Sequence, residues 1–155
     1  MPMNFRPAIQ DDLKIIISWI PDADACKRWA GPLVNFPLTP ASLAEKIELK
    51  PGNTYGLEKN KTLIGFGQLI HKSNDRGHAA RIIVAPGYRG RGIGRRLCLA
   101  LTGQAANLKY GRVSLNVYRE NLAAIRLYKS LGFRDATRSP KKTLLNDIRY
   151  MELSL

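Results

Sequence analysis

The sequence predicts a mixed α/β fold, and three observations carry that expectation. Runs of strand length rich in β-branched and aromatic residues alternate with patterns of helical period. A glycine-rich turn joins a strand to a long helix at mid-chain, and no repeat or low-complexity tract interrupts the order.

Asn4 to Ala8 reads as a first strand. Asp11 or Asp12 then caps a helix running through about Trp19, with Leu13, Ile16, Ile17 and Ile20 on its apolar face, and Pro21 ends it. Asp22 to Trp29 reads as a short second helix, Ala30 to Pro40 as a loop rich in Gly and Pro, and Pro40 to Leu49 as a third helix. Thr54 to Glu58 and Leu63 to His71 form a hairpin turned at Asn60-Lys61. Ala79 to Val84 is the next strand, and Pro86 terminates it. A long helix from about Gly92 to Leu108 sets Ile93, Leu97, Leu101, Ala105 and Leu108 on one stripe toward the sheet. Arg112 to Val117 follows as a strand and Asn121 to Leu131 as the last helix. Phe133 to Arg138 and Asp147 to Leu155 close the chain as an antiparallel pair. With no linker long enough to divide them, residues 1–155 are expected to form one domain.

The turn Arg89-Gly-Arg-Gly-Ile-Gly94 is the part richest in chemistry. Glycines at 90, 92 and 94 let the backbone turn its N–H groups toward a ligand, and the following helix aims its positive dipole end at the same place. Arg89, Arg91, Arg95 and Arg96 suit phosphate oxygens in charge and geometry. A nucleoside-triphosphate loop needs Gly-Lys-Ser or Gly-Lys-Thr where this chain has Ile93-Gly94-Arg95. A dinucleotide fingerprint fails too, because its third glycine falls at Arg95. Taken alone, the turn reads either as an anion cradle or as a tight surface turn with solvated arginines.

A second segment, Asn-Leu-Ala-Ala-Ile-Arg-Leu-Tyr-Lys-Ser-Leu-Gly-Phe from Asn121 to Phe133, has helical spacing. Asn121 caps it, Ala124, Tyr128 and Leu131 share a stripe, and Gly132 stops it. Together with Arg89-x-x-Gly92-x-Gly94, this segment resembles the paired signatures of the GNAT acetyltransferases, closely from about Ala79 to Arg134 and elsewhere through element order.

The resemblance implies a mostly antiparallel central sheet of about six or seven strands, flanked by helices, in which two parallel strands splay apart. It implies acetyl-CoA as co-substrate, no metal, and direct acetyl transfer to a primary amine in a ternary complex. The pyrophosphate falls to Arg89, Gly90, Arg91, Gly92, Ile93, Gly94 and Arg95, and the pantetheine arm to the backbone of Ile82, Ile83 and Val84. Asn121 and Tyr128 contact the cofactor, and Tyr128 assists the departing thiolate. A backbone N–H of that strand, Val84 first, suits the tetrahedral oxyanion. Many relatives carry a glutamate on the fourth strand as base. Gly77 to Val84 has none, and His78 near the strand start is either a substitute base or an exposed turn residue. Arg81 suits a carboxylate or phosphate on the acceptor, or is a surface arginine. Trp29 and Phe36, in segments combining rings with rigid turns, are candidates for the acceptor wall.

Composition narrows the class further. At 45% hydrophobic and 24% charged, the chain is globular rather than disordered. No apolar stretch reaches the length of a membrane span and the first residues lack a secretory core, so a cytoplasmic protein without membrane contact is expected. Cys26 and Cys98 form neither a zinc pattern nor a disulfide framework and read as unpaired thiols. The net charge of +13 calls for anionic partners, coenzyme A among them. The acceptor is a small molecule, a peptide or a protein N-terminus, and a homodimer is a further option. Alternatives are an acyltransferase with another donor or acceptor, and a non-catalytic basic RNA- or ribosome-binding protein of the same fold. The basic residues are mostly dispersed, with pairs such as Arg95-Arg96 and Lys141-Lys142, and aromatics are sparse, which argues against a base-stacking surface.

Overall fold

A computed structural model describes residues 2–32, 34–137 and 147–155 of the chain. Its seven strands are β1 (Met3–Pro7), β2 (Thr54–Lys59), β3 (Thr62–Ser73), β4 (Arg76–Val84), β5 (Arg112–Tyr118), β6 (Arg134–Asp135) and β7 (Ile148–Ser154). They form one sheet in the order β1-β2-β3-β4-β5-β7-β6. Every neighbouring pair is antiparallel except β4 and β5. The expected strand through Arg138 is paired only at Arg134–Asp135, and Arg138, Lys141 and Lys142 lie outside the described residues.

Among the described residues five α-helices cover the sheet: α1 (Asp12–Ile17), α2 (Ala23–Ala30), α3 (Pro40–Lys46), α4 (Ile93–Asn107) and α5 (Leu122–Ser130). Period-two alternation sends adjacent residues to opposite faces, so Ile64 joins a core with Leu97 and Leu101 of α4 and Ile125 of α5. Leu63 instead joins Leu13, Ile16 and Leu43 of α1 and α3 on the other face. The β2–β3 turn falls where expected: Asn60 and Lys61 have φ of 52° and 63°, both left-handed, which matches the twist of a two-residue hairpin.

Two expectations need correction. Leu108 is 48% exposed, because α4 ends at Asn107 and the chain turns through a left-handed Lys109 (φ 69°), carrying Leu108 off the apolar stripe. Asp11 makes no capping bond. Asp12 instead accepts the Ile9 N–H at 2.9 Å and a two-pronged contact from Arg6 at 2.7 and 2.9 Å, anchoring α1 to β1.

The β4–β5 pair determines where a site can form. Its register runs only through Arg76↔Arg112, Gly77↔Val113 and His78↔Ser114. Beyond His78 the two strands have no further pairing, so the edge of β4 from Ala79 to Val84 faces a cleft. On its other side β4 bulges: Gln68 pairs with Ala80 but Phe66 with Ile83, which sets Arg81 and Ile82 together opposite Gly67. Arg81 takes a left-handed φ of 51°, which turns its side chain toward the face carrying α2 and α3.

Candidate active site

The Gly-rich turn has the conformation its composition suggests. Gly90 and Gly92 have φ of 77° and 78°, and Gly92 occupies the left-handed N-cap of α4. A Cβ at either position meets nothing within 4 Å, so glycine is required there by backbone conformation, and the space above the turn is open. The first turn of α4 contains no acidic residue to compete with an anion. Arg89 donates from Nε to the Val84 carbonyl at 3.1 Å, Arg91 stacks over Tyr88 at 5.4 Å, and Arg95 reaches Ser130 Oγ at 3.0 Å. These contacts fix three arginines in and next to the turn. Gly94 is different: a Cβ there would meet Leu127 and Val84 at ordinary distances of 3.5 and 3.8 Å, so its role is close approach of α4 to α5 and β4.

A cavity of about 540 Å³ occupies the splay between β4 and β5. Tyr128 and Asn121 of the α5 segment line one end. Asn121 caps α5 as expected, its side chain accepting the Ala124 N–H at 3.3 Å. Tyr128 packs edge-on against Phe133 at 5.9 Å. Burial, reinforced by the neighbouring Cys98, pushes its hydroxyl well above the usual phenol range. That phenol keeps its proton throughout the physiological range and is a donor. The Cys98 thiol is pushed up to about 12 by burial, and Cys98 and Cys26 are both free and buried.

His78 lies inside β4, not in a turn before it, because the strand begins at Arg76. Its Nδ1 is 2.7 Å from the Oγ of fully buried Ser114, which also accepts from Arg76 Nη1 at 2.6 Å, so the imidazole is held at the point where the strands part. Arg81 and Trp29 line the same cavity. Trp29 Nε1 donates to the Arg81 carbonyl at 2.8 Å, and Arg81 Nη1 donates to Gln68 Oε1 at 2.7 Å. Gln68 is itself fully buried and donates to Ile47 O and Thr54 Oγ1 at 2.8 and 2.9 Å. Burial lowers the Arg81 pKa against the opposing charge of Glu48. Phe36 is 40% exposed and is not among the residues lining the cavity.

Several lining residues escaped the sequence reading. Arg28, Lys46, Glu48 and Lys72 come from α2, α3 and its exit, and β3, while Asn116 and Tyr118 come from β5. No local spacing marks them, since only the sheet order brings these elements to one face. The hydroxyl of Tyr118 is buried without a hydrogen-bond partner among the described residues.

The splayed parallel pair and the α5 segment line the cavity, while Ile83, Val84 and the turn from Arg89 to Arg95 are not among its lining residues. Comparison with known proteins identifies the family. The chain belongs to the Acetyltransferase (GNAT) family, whose sequence profile matches residues 21–133. It is 31% identical over 118 residues to the N-alpha-acetyltransferase RimI of Mycobacterium tuberculosis, covering 73% of each. It is also 31% identical over 135 residues to the uncharacterized protein ML0378 of Mycobacterium leprae, covering 83% of this chain but only 37% of that longer relative. The spermidine N-acetyltransferase of Vibrio cholerae, solved with CoA and spermine, shares the fold at a TM-score of 0.76 and 22% identity, over 98% of this chain and 95% of that one. Among the described residues no helix is long and apolar enough to cross a membrane, and no cluster of side chains is suited to a metal ion.

Proposed function

We propose that the chain is a single-domain N-acetyltransferase that moves an acetyl group from acetyl-CoA to a primary amine by direct attack within a ternary complex. The observation that carries the reading is the conjunction of a glycine turn, Gly90 and Gly92 at positive φ before α4, with an unpaired β4 edge and a cavity beside that edge lined by Tyr128. RimI and the Vibrio cholerae enzyme, named for N-acetyl transfer, support the reaction class.

In this scheme the backbone amides of Arg89 to Gly94 and the surrounding arginines hold the pyrophosphate. The β4 edge at Ile82, Ile83 and Val84 pairs with the pantetheine amides as an added strand would. The acceptor nitrogen enters from the Trp29 and Arg81 side and attacks the thioester carbon. A β4 N–H, Val84 first, holds the resulting oxyanion. The C–S bond then breaks as the tetrahedral adduct collapses, and CoA leaves as the thiolate. His78 takes the proton lost by the amine, directly or through water, and returns it to solvent. Tyr128, a protonated phenol in the cavity wall, donates a hydrogen bond to the leaving thiolate, which is then protonated from solvent.

Calorimetry with acetyl-CoA, followed by thiol release in the presence of an amine panel, tests the reading. Cofactor binding and amine-dependent release of CoA are expected. Failure to bind acetyl-CoA would remove the proposal and leave the basic RNA- or ribosome-binding alternative, while turnover only with longer acyl-CoA donors would reassign the donor.

A further inference from the structure

The acceptor end of the cavity has an unusual charge balance. Arg28, Lys46, Lys72 and Arg81 line it, opposed by Glu48 alone among the charged carboxylates of its wall. An amine acceptor must enter this field. A polyamine carries several positive charges and no negative one, so it meets like charge on nearly every side. An amine that also carries a carboxylate is drawn in by the same field.

Arg81 supplies the directional part. Its Nη1 lies on the Cδ side of the guanidinium, and the bond from this nitrogen to Gln68 Oε1 ties the side chain to the buried network below the sheet. The opposite edge, Nε and Nη2, is the side-on fork that matches the two oxygens of a carboxylate. Among the described residues Nε is buried with no hydrogen-bond partner, a costly state for a charged donor. The left-handed Arg81 backbone is fixed from the other side by Trp29, so the fork has a set position. Resting on the acetyltransferase reading above, we infer that the acceptor is a small amine carrying a carboxylate, of the amino-acid type, with Arg81 as its anchor and Arg28 and Lys46 adding attraction.

Matched pairs test this: free amino acids against their α-carboxamides, with spermidine as the polyamine probe, measured by CoA release. The acids should exceed the amides by at least about tenfold in kcat/KM, the weight of one well-formed charged contact. Arg81→Gln should shrink that ratio mainly through KM. Should Arg81→Gln perturb the fold, the double variant Arg28→Gln/Lys46→Gln, at exposed positions, should also reduce the ratio. A preference for spermidine, or an acid-to-amide ratio that neither variant changes, overturns the inference. If no probe is turned over, quenching of tryptophan fluorescence in the acetyl-CoA-bound protein decides: equal binding of acids and amides overturns it, and selective binding of acids upholds it. Loss of acetyl-CoA binding itself would mark failure of the enzyme reading.

Discussion

The indole Nε1 of Trp29 donates a 2.8 Å hydrogen bond to the backbone carbonyl of Arg81, joining α2 to the bulge of β4 across 52 residues of sequence. The bond satisfies a carbonyl that the bulge removes from the sheet ladder. Trp29→Phe keeps the ring against Phe66 but deletes the donor, and urea unfolding should register a loss of about 1–2 kcal/mol. The acceptor-dependent kcat/KM should fall more than the affinity for acetyl-CoA.

Tyr128→Phe removes the phenol donor from the cavity wall while retaining its packing on Phe133. A fall in kcat of about 100-fold is expected, with acetyl-CoA binding by calorimetry little changed. Unaltered kcat would mean that sulfur departs without help from this residue.

Gly92→Ala tests the cradle through backbone strain alone, because its Cβ enters open space. Holding alanine at φ 78° costs about 1–2 kcal/mol. Relaxation of that strain turns amides away from the ligand, so both the melting temperature and the acetyl-CoA affinity should drop. A matching Gly103→Ala change, in the helical interior of α4 with nothing within 4 Å of the added Cβ, should lower neither.

Acid stability should depend on Asp12. Burial pushes its carboxyl up, but hydrogen bonds from Arg6 and the Ile9 amide, with the charge of Arg6, outweigh that and hold it below its ordinary value. The folded pKa is therefore lower than the unfolded one, about 3.9. The stabilisation is complete above the unfolded value and is lost as pH falls through the folded value. Urea midpoints measured from pH 6 down to pH 3 should show this decline in the wild type, and a shallower one in Asp12→Asn.

Cys98 should be chemically silent. With its thiol pushed up to about 12 and its side chain buried, iodoacetamide at pH 8 should label native protein slowly. Mass spectrometry after unfolding should find both Cys98 and Cys26 modified rapidly. Fast native labelling at Cys98 would place solvent beside Tyr128.

The local motifs were legible because each rests on neighbours in sequence. Left-handed Gly90 and Gly92 before a helix, the Asn121 cap and the Asn60-Lys61 hairpin are short-range steric and hydrogen-bonding solutions, and composition announces them. His78 was harder to place. The sequence put it before a strand, yet pairing with β5 extends β4 back to Arg76, and its partner Ser114 lies 36 residues away. Phe36 had the composition of a pocket wall, but its loop leaves it outside the cavity lining.

By itself the sequence determined the family, the mixed α/β order, the glycine turn before α4 and the Asn121-capped α5 segment, because side-chain type and spacing encode turns, caps and amphipathic faces directly. Only the tertiary structure decided that β4 and β5 part after His78 and Ser114, that a bulge turns Arg81 toward α2 and α3, and that Arg28, Lys46 and Lys72 line the same cavity as Arg81. Those relations depend on strand order and register, which bring together residues distant in the chain whose local sequence carries no mark of their common destination.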